Sequence, residues 1–267
     1  MIENLSIVYL VAGLSSRFNG KIKQLANVGK NGETFIECSL NQAIKSRINK
    51  IIFVVGEMTE KLFKNKFGDN YQGIPICYAL QDFDKKLRNK PWGTADALFF
   101  AKKFLDCPFV VCTGDDLYGE NSFKILVEHL KKSNEEACIG YLIKNTLPKN
   151  GVVNRSLFEM DGNYVKKIGN AFSISKENIL GEDHAFSCMT IFGLHPNILN
   201  LIENKIKIFK EKNKLNRESE FLLHEAISEL IQEKKIKMKM YPAKDKWIGI
   251  TNPGDEEIVK EFVRNNS

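Results

Sequence analysis

Leu10-Val-Ala-Gly-Leu-Ser-Ser-Arg-Phe-Asn-Gly-Lys-Ile-Lys-Gln-Leu25 is the stretch on which the reading of this chain turns. The apolar run that leads into it, residues 5–11, reads as a buried strand. The run breaks at Gly13 into a loop of small residues, and Arg17, Lys21 and Lys23 follow. Small residues let backbone N–H groups approach a ligand, and loops of exposed amides bind anions. Cations just beyond such a loop can neutralise further negative charge. A polyphosphate at the carboxyl end of a parallel strand fits both features, because open α/β sheets bind ligands there. An ordinary strand-to-helix turn with surface cations would use the same residues. The loop has only Gly13 and Gly20, so it is not the dinucleotide loop G-x-G-x-x-G. Nor does a Gly-Lys-Ser/Thr follow, which excludes a Walker loop.

Outward from this loop the first half alternates strand and helix. Thr34-Phe-Ile-Glu37 is a capping box that opens a helix to about residue 45. Strands are predicted at 50–55, 74–80 and 109–113, and helices at 59–67, 94–105 and 122–132. This order predicts a mostly parallel, doubly wound sheet. The second half changes character. Strands at 137–143, 164–168, 185–194, 236–241 and 247–250 have fewer helices between them. Long helices at 196–212 and 218–233 come late, with a last helix starting at Asn252-Pro253. A mixed sheet with a smaller lobe packed on its core is the expectation. The chain is expected to form a single domain over 1–267, with 1–135 mainly nucleotide-binding and 136–267 mainly sugar-binding plus the C-terminal helices.

Composition narrows the classes. The chain has 267 residues, 43% hydrophobic, enough for one large α/β core. A net charge of +6 with lysines spread over helices reads as solvated faces. No basic stripe with interleaved aromatics is present, so nucleic acid is not an expected partner. Six cysteines at irregular spacing form no C-x-x-C pair and no ligand cluster with His, and read as reduced core thiols. Without a basic leader or a membrane-length apolar run, the expectation is a cytoplasmic protein with no membrane contact. His129, His195 and His224 read as surface or capping residues of helices.

Two further constellations carry chemistry. Thr113-Gly-Asp-Asp-Leu-Tyr-Gly119 ends a strand on the rim where the phosphate loop is expected. Asp115 and Asp116 are hard ligands suited to Mg²⁺, or else caps for the helix that follows. Adjacent strand residues point to opposite sides, so one carboxylate is expected to hold metal and the other to serve elsewhere. Gln81 ends another strand and offers a donor and an acceptor, as reading a pyrimidine edge requires. Gly93, in Lys90-Pro-Trp-Gly-Thr-Ala-Asp-Ala-Leu98, would let backbone approach a base.

With these residues in order, the chain resembles the sugar-1-phosphate nucleotidylyltransferases, or nucleotide-sugar pyrophosphorylases. The likeness continues through Asn145-Thr-Leu-Pro-Lys-Asn-Gly-Val-Val-Asn-Arg155, Ser219-Glu-Phe and Lys246-Trp-Ile-Gly-Ile-Thr251. It implies a Rossmann-like doubly wound mixed sheet of the nucleotidyltransferase (GT-A) type with a small sugar-binding lobe. It implies that Leu10, Ala12 and Gly13 contact the nucleotide, with Gln81, Gly93 and Thr94 at the base. Arg17, Lys23 and Asp115 would be catalytic, Asp115 holding the metal. Asp116, Gly151 and Glu220 would lie on the sugar side. Two departures stand out. Where many members carry Trp-Leu-Asp-Thr-Gly this chain has Trp247-Ile-Gly-Ile-Thr, without the second metal carboxylate. Where a Glu-Lys-Pro often contacts the sugar phosphate, Ile168-Gly-Asn170 stands.

The expected partners are a nucleoside triphosphate, UTP first and dTTP second, and a hexose or N-acetylhexosamine 1-phosphate. The expected cofactor is Mg²⁺. Two rivals remain. One is a glycosyltransferase of related fold, for which a diphosphate donor would need less cationic charge than the loop supplies. The other is a non-catalytic subunit that senses nucleotide sugars, motivated by the missing carboxylate.

Overall fold

Four hydrophobic runs become the parallel half of one sheet, because strands buried on both faces lose nothing to solvent there. The computed structural model describes residues 4–13, 22–148, 151–179, 184–250 and 254–266. In chain order the first half runs β1 (Ser6–Leu10), α1 (Phe35–Ile44), β2 (Lys50–Val55), α2 (Glu57–Phe67), β3 (Asn70–Tyr71), β4 (Ile74–Leu80), α3 (Thr94–Phe100), β5 (Phe109–Thr113), β6 (Asp116–Leu117) and α4 (Glu120–Lys132). The second half runs β7 (Glu136–Leu142), β8 (Val153–Asp161), β9 (Tyr164–Ile174), β10 (Phe186–Leu194), α5 (Ile198–Lys212), α6 (Leu223–Gln232), β11 (Met238–Pro242), β12 (Ile248–Gly249) and α7 (Asp255–Asn266).

The main sheet has the order β3-β4-β2-β1-β5-β10-β7-β11-β9-β8. β4, β2, β1 and β5 are parallel neighbours. β10 runs antiparallel between β5 and β7, and β11 pairs parallel with β7. The sheet is therefore mixed, as expected. Alternation along β1 divides the core in two. Val8 and Leu10 pack on one face with α3, α5 and α6, while Ile7 and Tyr9 pack on the other with α1, α2 and α4. β6 and β12 form a separate two-stranded antiparallel ribbon at the mouth of β5.

The boundaries differ from expectation where tertiary contacts take over. The strand expected at 164–168 is one arm of a long hairpin, β8 with β9. Polar residues on the hairpin's outer face, among them Asn154, Glu159, Lys166 and Lys167, blur its apolar pattern. The helix expected to reach residue 105 stops at Phe100 and tightens into a 3₁₀ turn over Lys102–Phe104. The helix expected from 218 starts at Leu223, because the preceding residues clasp another loop. The strand expected at 247–250 shrinks to Ile248–Gly249. Asn252 and Pro253, expected to start the last helix, lie outside the described residues. The capping box holds: the Glu37 carboxylate accepts from Thr34 N at 2.8 Å and from Thr34 Oγ1 at 2.6 Å. His129 and His224 are buried rather than on the surface, each hydrogen-bonded through its ring. Among the described residues no helix is long and apolar enough to cross a membrane.

Phe53 is the hub of the α1/α2 face. Its ring lies 5.1–6.0 Å from those of Tyr9, Phe63, Phe67 and Tyr78. Phe53→Ala is expected to cost about 3–5 kcal/mol, the transfer and cavity terms of a fully buried ring. Urea unfolding checks this; an unchanged midpoint would contradict the central place of the cluster.

Candidate functional site

The carboxyl ends of β1, β2, β4 and β5 meet at one rim. Val11 N donates to Val54 O at 2.9 Å, Gln81 N to Val55 O at 2.8 Å, and Gly114 N to Leu10 O at 3.2 Å. Leu10, Val11 and Ala12 are buried, whereas Gly13 is exposed with open space around its Cα. A side chain at 114 would run into Val11 Cγ1, 2.3 Å from the site of its Cβ, so the turn out of β5 requires glycine. Arg17 and Lys21 lie outside the described residues.

Lys23, Asp115 and Ile250 close a triangle at this rim. Lys23 Nζ is ion-paired with Asp115 Oδ2 and donates to Ile250 O at 2.9 Å. Ile250 N donates to Asp115 O at 3.1 Å. A short 3₁₀ helix, Lys23–Leu25, presents the lysine. The sequence-predicted Lys23 and Asp115 are thus in direct contact.

Asp116 turns away from Lys23. Its Oδ2 accepts from Thr113 Oγ1 at 2.6 Å and from Tyr118 OH at 3.1 Å. Its Oδ1 lies 2.3 Å from where a Cβ on Gly249 would be. Burial, and then the neighbouring Asp115 charge, push its pKa up to about 7. Tyr118 OH lies within hydrogen-bond distance of Met189 O at 2.8 Å, tying the cluster to β10. Tyr118 and Thr113 stand inside the quoted motif, yet sequence reading assigned them nothing. A hydroxyl two residues from a carboxylate at a strand end is the signal that could have found them.

Gln81 and Gly93 also come together. The buried Gln81 amide donates from Nε2 to Gly93 O at 3.2 Å and reaches Asp96 Oδ2 at 3.4 Å. Asp96 in turn is ion-paired with Lys210 at 2.5 Å. Gly93 has φ +101°, and a Cβ there would lie 2.5 Å from Phe221 O. Its freedom therefore serves the close approach of the Phe221 backbone, which bonds Trp92 O and Ala95 N on either side. Thr94 Oγ1 accepts from Leu223 N at 2.8 Å, a cap on α6. Glu220 is paired with Lys90 at 2.6 Å, so it stands on the Gly93 rim. Arg88, which sequence reading passed over, lies 3.3 Å from the Trp92 ring centroid and donates to Asn216 O at 2.8 Å. Gly151 has φ +85° in open space, and none of the contacts described above joins it to the rim. Among the described residues no group of three or more His, Cys, Asp or Glu side chains could hold a metal ion.

A family model described as nucleotidyl transferase matches residues 15–168, more than half of the chain. The chain belongs to the nucleotidyl transferase family. This nucleotidyl transferase is 28% identical over 116 residues to a UTP–glucose-1-phosphate uridylyltransferase of Haloferax volcanii. The match spans 43% of the chain and 44% of that protein, less than half of that relative's length. Among solved structures, a UTP-bound UGPase from Acinetobacter baumannii superposes with a TM-score of 0.70 at 16% identity, over 100% of this nucleotidyl transferase and 95% of that chain. A UDP-glucose pyrophosphorylase complexed with UDP-glucose gives 0.69 at 14%, over 99% and 100%. The inositol-1-phosphate CTP transferase of T. maritima gives 0.66 at 14%, over 98% and 96%. At these identities the likeness is one of fold.

The raised pKa of Asp116 has a measurable consequence. An unfolded aspartate titrates near 3.9, so the folded nucleotidyl transferase holds this proton more tightly than the unfolded chain does. Stability from Asp116 is present below about pH 4 and is lost as pH rises towards 7. Asp116→Asn mimics the protonated group. Its melting temperature is expected to match wild type near pH 4 and to exceed it progressively towards pH 8, in buffer containing chelator. A constant difference across that range would show that Asp116 titrates normally.

Proposed function

We propose that this nucleotidyl transferase joins a nucleoside triphosphate to a sugar 1-phosphate, giving a nucleotide sugar and pyrophosphate. UTP is the favoured nucleotide and dTTP the next. The sugar is a hexose or N-acetylhexosamine. The observation that carries the reading is the meeting of Lys23 with Asp115 beside an open Gly13, at the shared carboxyl edge of β1 and β5. The similarity to a UTP–glucose-1-phosphate uridylyltransferase supports it.

The chemistry needs positioning and charge cancellation more than a base. A phosphate monoester has its second pKa near ~6, so the sugar phosphate is already an anionic nucleophile at neutral pH. Its oxygen attacks the α-phosphorus in line. A P–O bond forms there, the bond to the β-bridging oxygen breaks, and the electron pair leaves with pyrophosphate. Backbone amides of residues 12–13 hold phosphate oxygens. Lys23 shifts from Asp115 and Ile250 O to the triphosphate and neutralises the leaving group. Arg17 adds a second positive charge. Gln81, oriented by Gly93 O, reads the base edge with the amide oxygen that has no protein partner among the described residues.

The residues fit Mg²⁺, which generally keeps waters and leans on substrate phosphates with only one or two carboxylates. Asp115, beside Lys23 at the end of β5, would hold it. When bound, the ion supplies Lewis-acid stabilisation of negative charge on phosphate oxygens.

The deciding experiment is pyrophosphate release with Mg²⁺, each of UTP and dTTP, and a panel of sugar 1-phosphates. Release, and the reverse reaction from nucleotide sugar and pyrophosphate, are the expected result. Binding of nucleotide sugar without any turnover would favour the sensing subunit instead.

Lys23→Ala is expected to lower kcat/KM by about 10² or more, since one preorganised charge contact is worth a few kcal/mol. Asp115→Asn is expected to abolish metal-dependent turnover. Steady-state kinetics over a Mg²⁺ series reads both, and near-normal values in either would remove that residue from the site.

Gln81→Ala is expected to shrink the ratio of kcat/KM between the preferred triphosphate and a poor one. Kinetics with UTP and ATP in parallel would show it; an unchanged ratio places base recognition elsewhere.

A further inference from the structure

Arg155 lies on β8, four residues beyond Gly151, and is half-buried. Its Nε and Nη2 share the Thr146 carbonyl at 3.1 and 2.6 Å, and Nη1 reaches the Asn154 carbonyl at 3.1 Å. A guanidinium carries five N–H groups. One N–H on each Nη nitrogen is therefore left without a partner among the described residues. No carboxylate among the described residues caps them. Asp116 is near enough to act on the charge, but its Oδ2 is taken by Thr113 and Tyr118. Desolvation meanwhile pulls the guanidinium's pKa down.

A second orphan stands beside it. Arg155 lies 5.3 Å from the centroid of the Trp247 ring, and Trp247 Nε1 is buried with no hydrogen-bond partner. Trp247 leads directly into β12, whose Gly249 packs on Asp116. Across the hairpin, Arg155 is in register with Ala171, a small residue that cannot pair with it. A buried donor left unmade is costly, so the Trp247 indole N–H calls for an acceptor, and the half-buried Arg155 fork beside it can bind the same one. Two parallel N–H groups on a planar fork match two oxygens of a phosphate.

We propose that Arg155 forms a phosphomonoester subsite, its free fork taking the phosphate of the sugar 1-phosphate beside Trp247. This rests on the reading given under Proposed function. It makes Arg155 a binding and specificity residue for the attacking substrate, separate from the Lys23 end that receives the triphosphate. The subsite sits near Asp116 at the mouth of β5, where the attacking oxygen must arrive, and on the strand that follows the Gly151 loop.

Calorimetric titration of the full chain tests it, with inorganic phosphate, glucose 1-phosphate and UTP as three probes. Arg155→Gln is expected to weaken glucose 1-phosphate and inorganic phosphate by about tenfold or more, the loss of a charged hydrogen-bond pair. UTP affinity is expected to stay within about twofold, the site being distinct. Arg155→Lys is expected to keep part of the phosphate affinity, and its melting temperature separates lost binding from lost folding. In turnover, KM for the sugar phosphate should rise with KM for UTP unchanged. Unchanged phosphate affinity in Arg155→Gln overturns the proposal, as does an equal loss for UTP. Wild-type protein that binds UTP but neither phosphate probe overturns it too, while leaving the nucleotide site intact. Arg155-dependent phosphate binding in a protein that neither binds UTP nor releases pyrophosphate would keep the subsite and defeat the function.

Discussion

Everything at the rim depends on one triangle of contacts: Lys23, Asp115 and the backbone of Ile250. A cation from the start of the chain, a carboxylate from its middle and a peptide unit near its end converge there. The constraint behind it is the parallel sheet. Parallel strands must all end at the same edge, so loops far apart in sequence crowd into one crevice. The ion pair also holds the lysine in position before any ligand arrives. In the proposed reaction a triphosphate would exchange one anionic partner for another instead of ordering a loose side chain.

The two adjacent carboxylates are kept unequal by their surroundings. Asp115 stays beside Lys23. Asp116 is folded under the strand end against hydroxyls, and its proton is retained up to about pH 7. Gly249 is part of this arrangement. Any Cβ there would strike Asp116 Oδ1, so glycine at 249 leaves the space that the Asp116 carboxylate fills. A residue with a side chain at 249 and the present Asp116 rotamer exclude one another.

On the opposite rim the loop around Gly93 is held from outside. Phe221 clasps it through two backbone bonds, its ring stacks on Phe209 at 4.8 Å, and Arg88 joins the 216–219 segment to Trp92. This clasp explains why α6 starts later than its amphipathic pattern suggests. Residues that could have opened the helix spend their backbone groups on residues 88–95 instead.

The fold class was legible in the sequence, since buried parallel strands are continuous apolar runs and the helices between them carry a period of 3.6. The runs at Lys50–Val55, Ile74–Leu80 and Phe109–Thr113 end where the structure ends them. The placing of Lys23, Asp115, Gln81 and Gly93 at strand ends was also legible, because loops there concentrate glycines and charges. What Arg155, Trp247 and Arg88 touch was not. Their partners lie between 1 and 131 residues away, so the local pattern does not report them. Sequence by itself determined which segments were buried and which strand ends held the candidate residues, because burial and turn geometry act locally. Only the tertiary structure decided what Gly93, Thr94 and Asp116 touch, because those contacts are made across the sheet, where steric fit and desolvation depend on the whole chain.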